Sequence, residues 1–287
     1  MRREMTDMYE FDKIPAGNIA LMVLGATLFI VGPVLIWILW TVKKKEKFTT
    51  ILVGAVTFFV FVMVEKIIQG VLIAPTAMGM SEHGASIFIN ARPLLFAFLA
   101  GLFPGLFEET GRLVAFKTVL KKRKNRETCV SYGIGHGGFE VIFLLGLTYI
   151  NNVTYSLMIN TGTFAAAIEQ VATQAPDQVE ALLAIPKQLA ALSFVHILLA
   201  IYERIWAFLF HTGASIIVFY ACKDKKKFWL YPLAIILHTA MDLIPGLSMA
   251  GVIKMSDWQL EAAFTIIGAL VFFGAYFLLY KKDKTTD

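Results

Sequence analysis

At 287 residues, 57% hydrophobic and only 16% charged, the chain has too many apolar residues for a water-soluble domain. Its net charge of +5 sits in short basic clusters between apolar runs, which excludes a nucleic-acid-binding surface and points to a polytopic membrane protein. The two cysteines, Cys129 and Cys222, both near basic clusters, provide neither a disulfide framework nor a thiolate metal site.

The opening stretch, MRREMTDMYEFDK, mixes both signs of charge and leads into an apolar run of full spanning length, so no cleavable signal peptide is expected. Seven apolar segments follow, at Asn18–Val42, Ile51–Ile73, Ala91–Leu120, Cys129–Ile150, Ser193–Cys222, Phe228–Met249 and Trp258–Tyr280. Each exceeds the ~20 residues that cross a ~30 Å hydrocarbon core, which predicts an all-α, polytopic helical bundle. LFPGLF, at Leu102–Phe107, is expected to break the third span near its middle. Between the fourth and fifth spans, Asn151–Leu192 is the only sizeable piece outside the membrane. Its segments FAAAIEQVA and PDQVEALLAIPKQLAALSF read as short amphipathic helices broken by Pro176 and Pro186.

Basic clusters at Lys43–Lys47, Lys121–Arg126, Lys223–Lys227 and Lys281–Lys284 follow spans one, three, five and seven, and hold 16 of the 26 Lys and Arg. The alternate loops hold only Lys187 and Lys254. The positive-inside rule therefore places the N-terminus outside and the C-terminus in the cytoplasm. The chain divides into an N-terminal two-helix segment (1–90), a four-helix core with an outer amphipathic loop (91–249, loop 151–192) and a last span with a basic tail (250–287).

Ionisable residues inside spans cost at least ~2.5 kcal/mol each on insertion scales and usually have a function. FEETGR places Glu108, Glu109 and Arg112 in span three, and GHGGFE places His136 and Glu140 in span four. YERIWAFLFH places Glu203, Arg204 and His211 in span five, and LHTAMD places His238 and Asp242 in span six. Counted from the basic clusters, Glu109, His136, His211 and His238 lie 10 to 12 residues in. At ~1.5 Å per residue all four reach about the same depth, near the bilayer middle. His136 with Glu140, His238 with Asp242 and Glu108 with Arg112 are each one helical turn apart. The glycines Gly133, Gly135, Gly137 and Gly138 strip side-chain bulk from around His136, so a backbone or a substrate can approach it. Glu65 and Lys66 lie off this layer and read as an ion pair or snorkelling groups. His83, Arg92 and His196 read as boundary residues, and Glu203 with Arg204 as an ion pair with each other or a neighbouring helix.

Three imidazoles, His136, His211 and His238, suit one Zn²⁺ with a fourth position left for water. Glu108 or Glu109 is placed to take a proton from that water, and two carboxylates beside Arg112 need not share one protonation state. Without metal, the glutamate still activates water while histidines donate to a developing oxyanion. Both versions hydrolyse an amide within the membrane.

The motifs EETGR, GHGGFE and HTAMD resemble those of the YhfC family of intramembrane metalloproteases. That family is related to CAAX-type prenyl endopeptidases, bacteriocin-processing proteins and PrsW-like proteases. The resemblance covers about Ala91 to Met249. It implies that Glu108 is the water-activating glutamate, Glu109 its neighbour, Arg112 their basic partner, His136 and His238 the paired histidines, and Asp242 the last acidic group. It also implies a role for His211, which follows the Glu-Arg pair. Two residues, Thr110 and Gly111, separate the glutamates from Arg112, where prenyl endopeptidases have three. That difference turns the arginine by about 100° around the helix. It leaves open which glutamate the arginine pairs with, and argues against prenylated substrates.

The expected function is an intramembrane endopeptidase of a bacterial plasma membrane, acting on a membrane protein or peptide in the lipid bilayer, with no nucleic-acid partner. Two other classes fit the same residues: a proton or divalent-metal transporter, although no inverted repeat is present, and a non-catalytic membrane scaffold.

Overall fold

The computed structural model describes residues 11–284. Most of the mixed-charge opening stretch, residues 1–10, lies outside them, as do residues 285–287. The described residues are all-helical, without a strand. The helices are α1 (Ala16–Lys44), α2 (Phe48–Ile73), α3 (Gly84–Asn90), α4 (Pro93–Lys117), α5 (Glu127–Val141), α6 (Leu147–Thr161), α7 (Phe164–Gln174), α8 (Val179–Ala191), α9 (Phe194–Lys223), α10 (Leu230–Met249) and α11 (Asp257–Ala275). Seven helical segments are long and apolar enough to cross a membrane, one for each predicted span.

Three boundaries differ from the sequence expectation. The fourth span continues from α5 through a π-helical turn at Ile142–Gly146 into α6 and ends at Thr161, so residues 151–161 are helix rather than loop. Gly162 stops it, adopting the left-handed conformation (φ 75°) that a helix end favours. Pro186 lies inside α8 without interrupting it, while Pro176 starts a short 3₁₀ turn. LFPGLF does not break the third span, because α4 runs through Pro104. The reason is packing. Gly101 and Gly105 form a small-xxx-small pair against α10, where a Cβ on Gly101 would lie 2.9 Å from Thr239 O and one on Gly105 would lie 3.0 Å from Ile235 O. Close backbone contact of this kind replaces the hydrophobic drive that lipid removes.

The chain forms two compact units. Within the described residues, the first takes in the chain up to Gly32 together with Ile142–Ile201. Here the amphipathic helix α7 buries Phe164, Ala165 and Ile168. Asn18 Nδ2 donates to the carbonyls of Leu189, Ala190 and Leu192 at 3.0, 2.9 and 3.0 Å, filling acceptors that the end of α8 leaves open.

Within the described residues, the second unit is Pro33–Val141 with the chain from Tyr202 onward. At its centre is α9, whose residues Phe210–Ala221 are buried in an unbroken run; a helix buried on every side belongs to a bundle core. Beside it, α5 and α2 cross closely, because Gly54 meets the Tyr132 carbonyl and Gly135 meets that of Ile51. Gly133 receives α9, where an added Cβ would lie 2.7 Å from Thr212 Cα, and Gly138 receives Trp37. The glycines around His136 thus admit neighbouring helices, and Trp37 Nε1 donates to Ile134 O at 2.9 Å to hold the register.

Candidate metal centre

Four helices of the second unit bring the predicted residues together. Glu108, Glu109 and Arg112 come from α4, His136 and Glu140 from α5, Arg204 and His211 from α9, and His238 and Asp242 from α10. The His211 ring centroid lies 5.0 Å from that of His136 and 5.3 Å from that of His238. The common depth counted along the sequence is thus a common cluster.

The two adjacent glutamates have different surroundings. Glu109 is fully buried, and its Oε1 accepts from Arg112 Nη1 at 2.6 Å and faces His238 Nδ1 at 2.7 Å. Glu108 keeps 7% of its surface exposed, and its Oε2 is a hub. It lies 2.9 Å from His136 Nε2, 3.8 Å from His211 Nδ1, and 3.9 Å from both His238 Nε2 and Arg112 Nη2. The arginine therefore hydrogen-bonds Glu109 directly and keeps Glu108 at the edge of ion-pair range. Its fork is pinned on the other edge by α9, where Nη2 donates to His211 Nδ1 at 2.7 Å and Nε donates to Ser215 Oγ at 3.2 Å.

This network sets the imidazoles. Arginine has only donors, so His211 Nδ1 accepts, and the proton of the neutral ring sits on Nε2. That atom faces Glu140 Oε2 at 2.6 Å. His238 Nδ1 donates to Glu109, which turns its Nε2 toward Asp242 Oδ2 at 3.4 Å and Glu108 Oε2 at 3.9 Å. Arg204 Nη1 donates to Glu140 Oε1 at 3.0 Å and also pairs with Glu203, so it ties α9 to α5. His136 and Glu140, one turn apart, reach different partners. Asp242 is the open edge of the cluster, with 30% of its side chain exposed.

Sequence spacing groups His136, His211 and His238 as one ligand set. Among the described residues the geometry gives two mixed sets instead, with donors within 4.8 Å of one another: Glu108, His211 and His238, and His136, Glu140 and His211. His211 belongs to both sets. Two nitrogens and one carboxylate oxygen are a donor set that borderline divalent metals accept. Burial supports occupancy, because the fully buried His136 Nδ1 has no hydrogen-bond partner, a costly state for a polar atom away from water. The residues fit a metal ion.

A model of the YhfC intramembrane metalloprotease family matches residues 26–258. The chain belongs to this family. It is also 31% identical over 236 residues, 82% of this chain and 84% of the relative, to "Uncharacterized membrane protein YhfC" of Bacillus subtilis (strain 168). No solved structure gives a significant match. The YhfC-family match covers all four helices that carry the cluster.

Two site residues escape the motifs. Ser215, fully buried, anchors Arg112; it sits one turn beyond His211, the only sequence signal it has. Glu65 does pair with Lys66, at 3.2 Å, but its side chain is 1% exposed while that of Lys66 is 53% exposed. Two adjacent opposite charges give no hint that one points inward. His83 caps α3, accepting from Ser86 N at 3.3 Å, and His196 bonds Ser193; neither enters the cluster.

Proposed function

We propose that the protein is an intramembrane endopeptidase of a bacterial plasma membrane, hydrolysing a peptide bond of a membrane protein or peptide. The observation that carries this reading is the Glu108 carboxylate. It is the one acid in the cluster with a single oxygen within 4 Å of three imidazoles.

Metal is assigned to His136, Glu140 and His211. This set contains the orphaned His136 Nδ1; ion binding through His211 Nε2 would displace the proton that now faces Glu140 and leave an imidazolate whose Nδ1 Arg112 still holds. A divalent ion such as Zn²⁺ there supplies Lewis acidity, polarising the scissile carbonyl and acidifying water. Glu108 is the general base: it takes the proton from water as the water attacks the carbonyl carbon. His136, bonded to Glu108, orients it. Glu108 then releases that proton to His238 Nε2, 3.9 Å away and held toward the cluster by Glu109, which passes it to the departing nitrogen as the C–N bond breaks. Arg112 fixes Glu109 and His211 and so sets both ring orientations, a precondition for catalysis by positioned groups. Asp242 lies where substrate enters.

The test is expression of the full chain with a panel of single-span membrane reporters. Cleavage of at least one by wild type, and of none by Glu108→Gln at equal membrane abundance, supports the reading. Equal cleavage by both contradicts it.

A further inference from the structure

A concave feature of the same unit is dominated by positive charge. A cavity of about 540 Å³ opens where α1 ends and where α2 and α5 begin. Its lining carries five cationic side chains, Lys43, Lys44, Lys45, Lys47 and Arg123, against two carboxylates. Both carboxylates are already engaged. Glu46 accepts from Asn125 Nδ2 at 2.9 Å and from Thr50 Oγ1 at 3.1 Å. Glu127 accepts from Tyr280 OH at 2.6 Å and faces Lys44 Nζ at 3.5 Å.

The cations are left in surplus. Among the described residues, Lys43, Lys45 and Lys47 have no ion-pair partner. The half-buried Arg123 is fixed in the wall, donating to Thr49 Oγ1 at 2.8 Å and to Thr50 Oγ1. The turn that gathers the lysines is held in an uncommon shape, because Lys45 has φ 54°, the left-handed region that non-glycine residues seldom occupy. Lys47, the N-cap of α2, offers no side-chain cap, so the first N–H groups of that helix lack a side-chain acceptor beside the cavity. Like charges crowded into a cavity whose acids are spoken for make a site for an anion.

We infer that this cavity binds a phosphate group, carried by the headgroup of an anionic phospholipid or by a phosphorylated solute. Lysines read phosphate as point charges, and Arg123 adds a planar donor. The cavity sits at the ends of three helices long and apolar enough to span a membrane, where a basic cluster attracts anionic lipid headgroups. The site is separate from the metal centre and does not depend on the protease reading.

Native mass spectrometry of the full chain from mixed phosphatidylglycerol and phosphatidylcholine micelles reads the lipid source. Calorimetric titration with inorganic pyrophosphate reads the soluble one. The variant Lys43→Gln/Lys45→Gln/Lys47→Gln is compared with Lys121→Gln/Lys122→Gln/Lys124→Gln, which removes equal charge outside the cavity; unchanged thermal unfolding establishes that both fold. Each surface lysine contributes about fivefold to binding an anionic headgroup, so the first variant is expected to lose about 100-fold, and the second much less. Selective retention of phosphatidylglycerol with this pattern supports a lipid ligand, and pyrophosphate binding with the same pattern supports a solute. Equal losses in the two variants, no loss in the first, or no binding of either probe overturns the proposal.

Discussion

Arg112 Nη2 donates to Nδ1 of His211 at 2.7 Å, and this bond links the carboxylate-bearing α4 to the central helix α9. The same guanidinium holds Glu109 at 2.6 Å and Ser215 at 3.2 Å, all out of water. Removing it leaves an unpaired buried carboxylate. Arg112→Met is therefore expected to destabilise the protein by about 3–5 kcal/mol, measured by unfolding in detergent. Arg112→Lys recovers only part of this, since one ammonium cannot reach three acceptors on two helices. A cost below ~1 kcal/mol for the methionine variant contradicts a linking role.

The two glutamates should separate stability from turnover. Glu108→Gln keeps the shape and the contact with His136, so the fold is expected to survive while cleavage falls by about 10²–10⁴-fold, the range for losing a general base. Glu109→Gln removes the charge that Arg112 pairs with, and it is expected to lower the unfolding temperature as well. The pair of measurements is rate at fixed protein and midpoint of thermal unfolding. An equal loss of stability in both variants contradicts the assignment.

Metal binding discriminates between the two donor sets. By elemental mass spectrometry of purified protein, wild type is expected to hold near one equivalent of divalent metal. His136→Ala and Glu140→Ala lose it, and His238→Ala retains it. Stripping the metal with a chelator should lower stability by about 3 kcal/mol relative to protein in metal at a hundredfold excess over its dissociation constant. Loss in His238→Ala with retention in Glu140→Ala moves the ion to the Glu108, His211 and His238 set.

Glycine positions around His136 predict graded packing defects. Gly135→Ala and Gly54→Ala drive a methyl group into the carbonyls of Ile51 and Tyr132. Neither backbone can yield easily, and each is expected to cost at least 1–3 kcal/mol, about the penalty of overpacking. Gly137→Ala meets His211 Cβ and Phe208 at 3.4 Å, ordinary contact, and is expected to be nearly neutral. Comparable losses in all three variants rule out close α2–α5 crossing as the reason for the glycines.

Much of this architecture was visible in the chain, for identifiable reasons. Span length and basic clusters locate the seven helices, because the bilayer fixes both. The cluster is visible because its members sit at one distance from those clusters on four helices. What was not visible depends on neighbours. LFPGLF looks like a break when read alone, yet Gly101 and Gly105 make it a contact face for α10. Pro186 likewise stays within α8. Spacing allows Arg112 either glutamate; with His211 and Ser215 on α9 holding its other edge, it sits 2.6 Å from Glu109 and 3.9 Å from Glu108. The grouping of donors follows from ring positions that helix depth does not specify, so His211 came out central rather than one of three equals. Glu65 faces inward although its neighbour Lys66 faces out.

The most direct test of the central claim is the isotopic composition of new chain ends. Proteoliposomes holding wild-type protein and solubilised bacterial membrane proteins are incubated in water enriched in ¹⁸O, and peptide termini are mapped by mass spectrometry. Hydrolysis by Glu108-activated water predicts new C-terminal carboxylates carrying ¹⁸O, from membrane-spanning or juxtamembrane segments, that disappear with Glu108→Gln. Identical termini from wild type and Glu108→Gln would contradict peptide hydrolysis at this cluster.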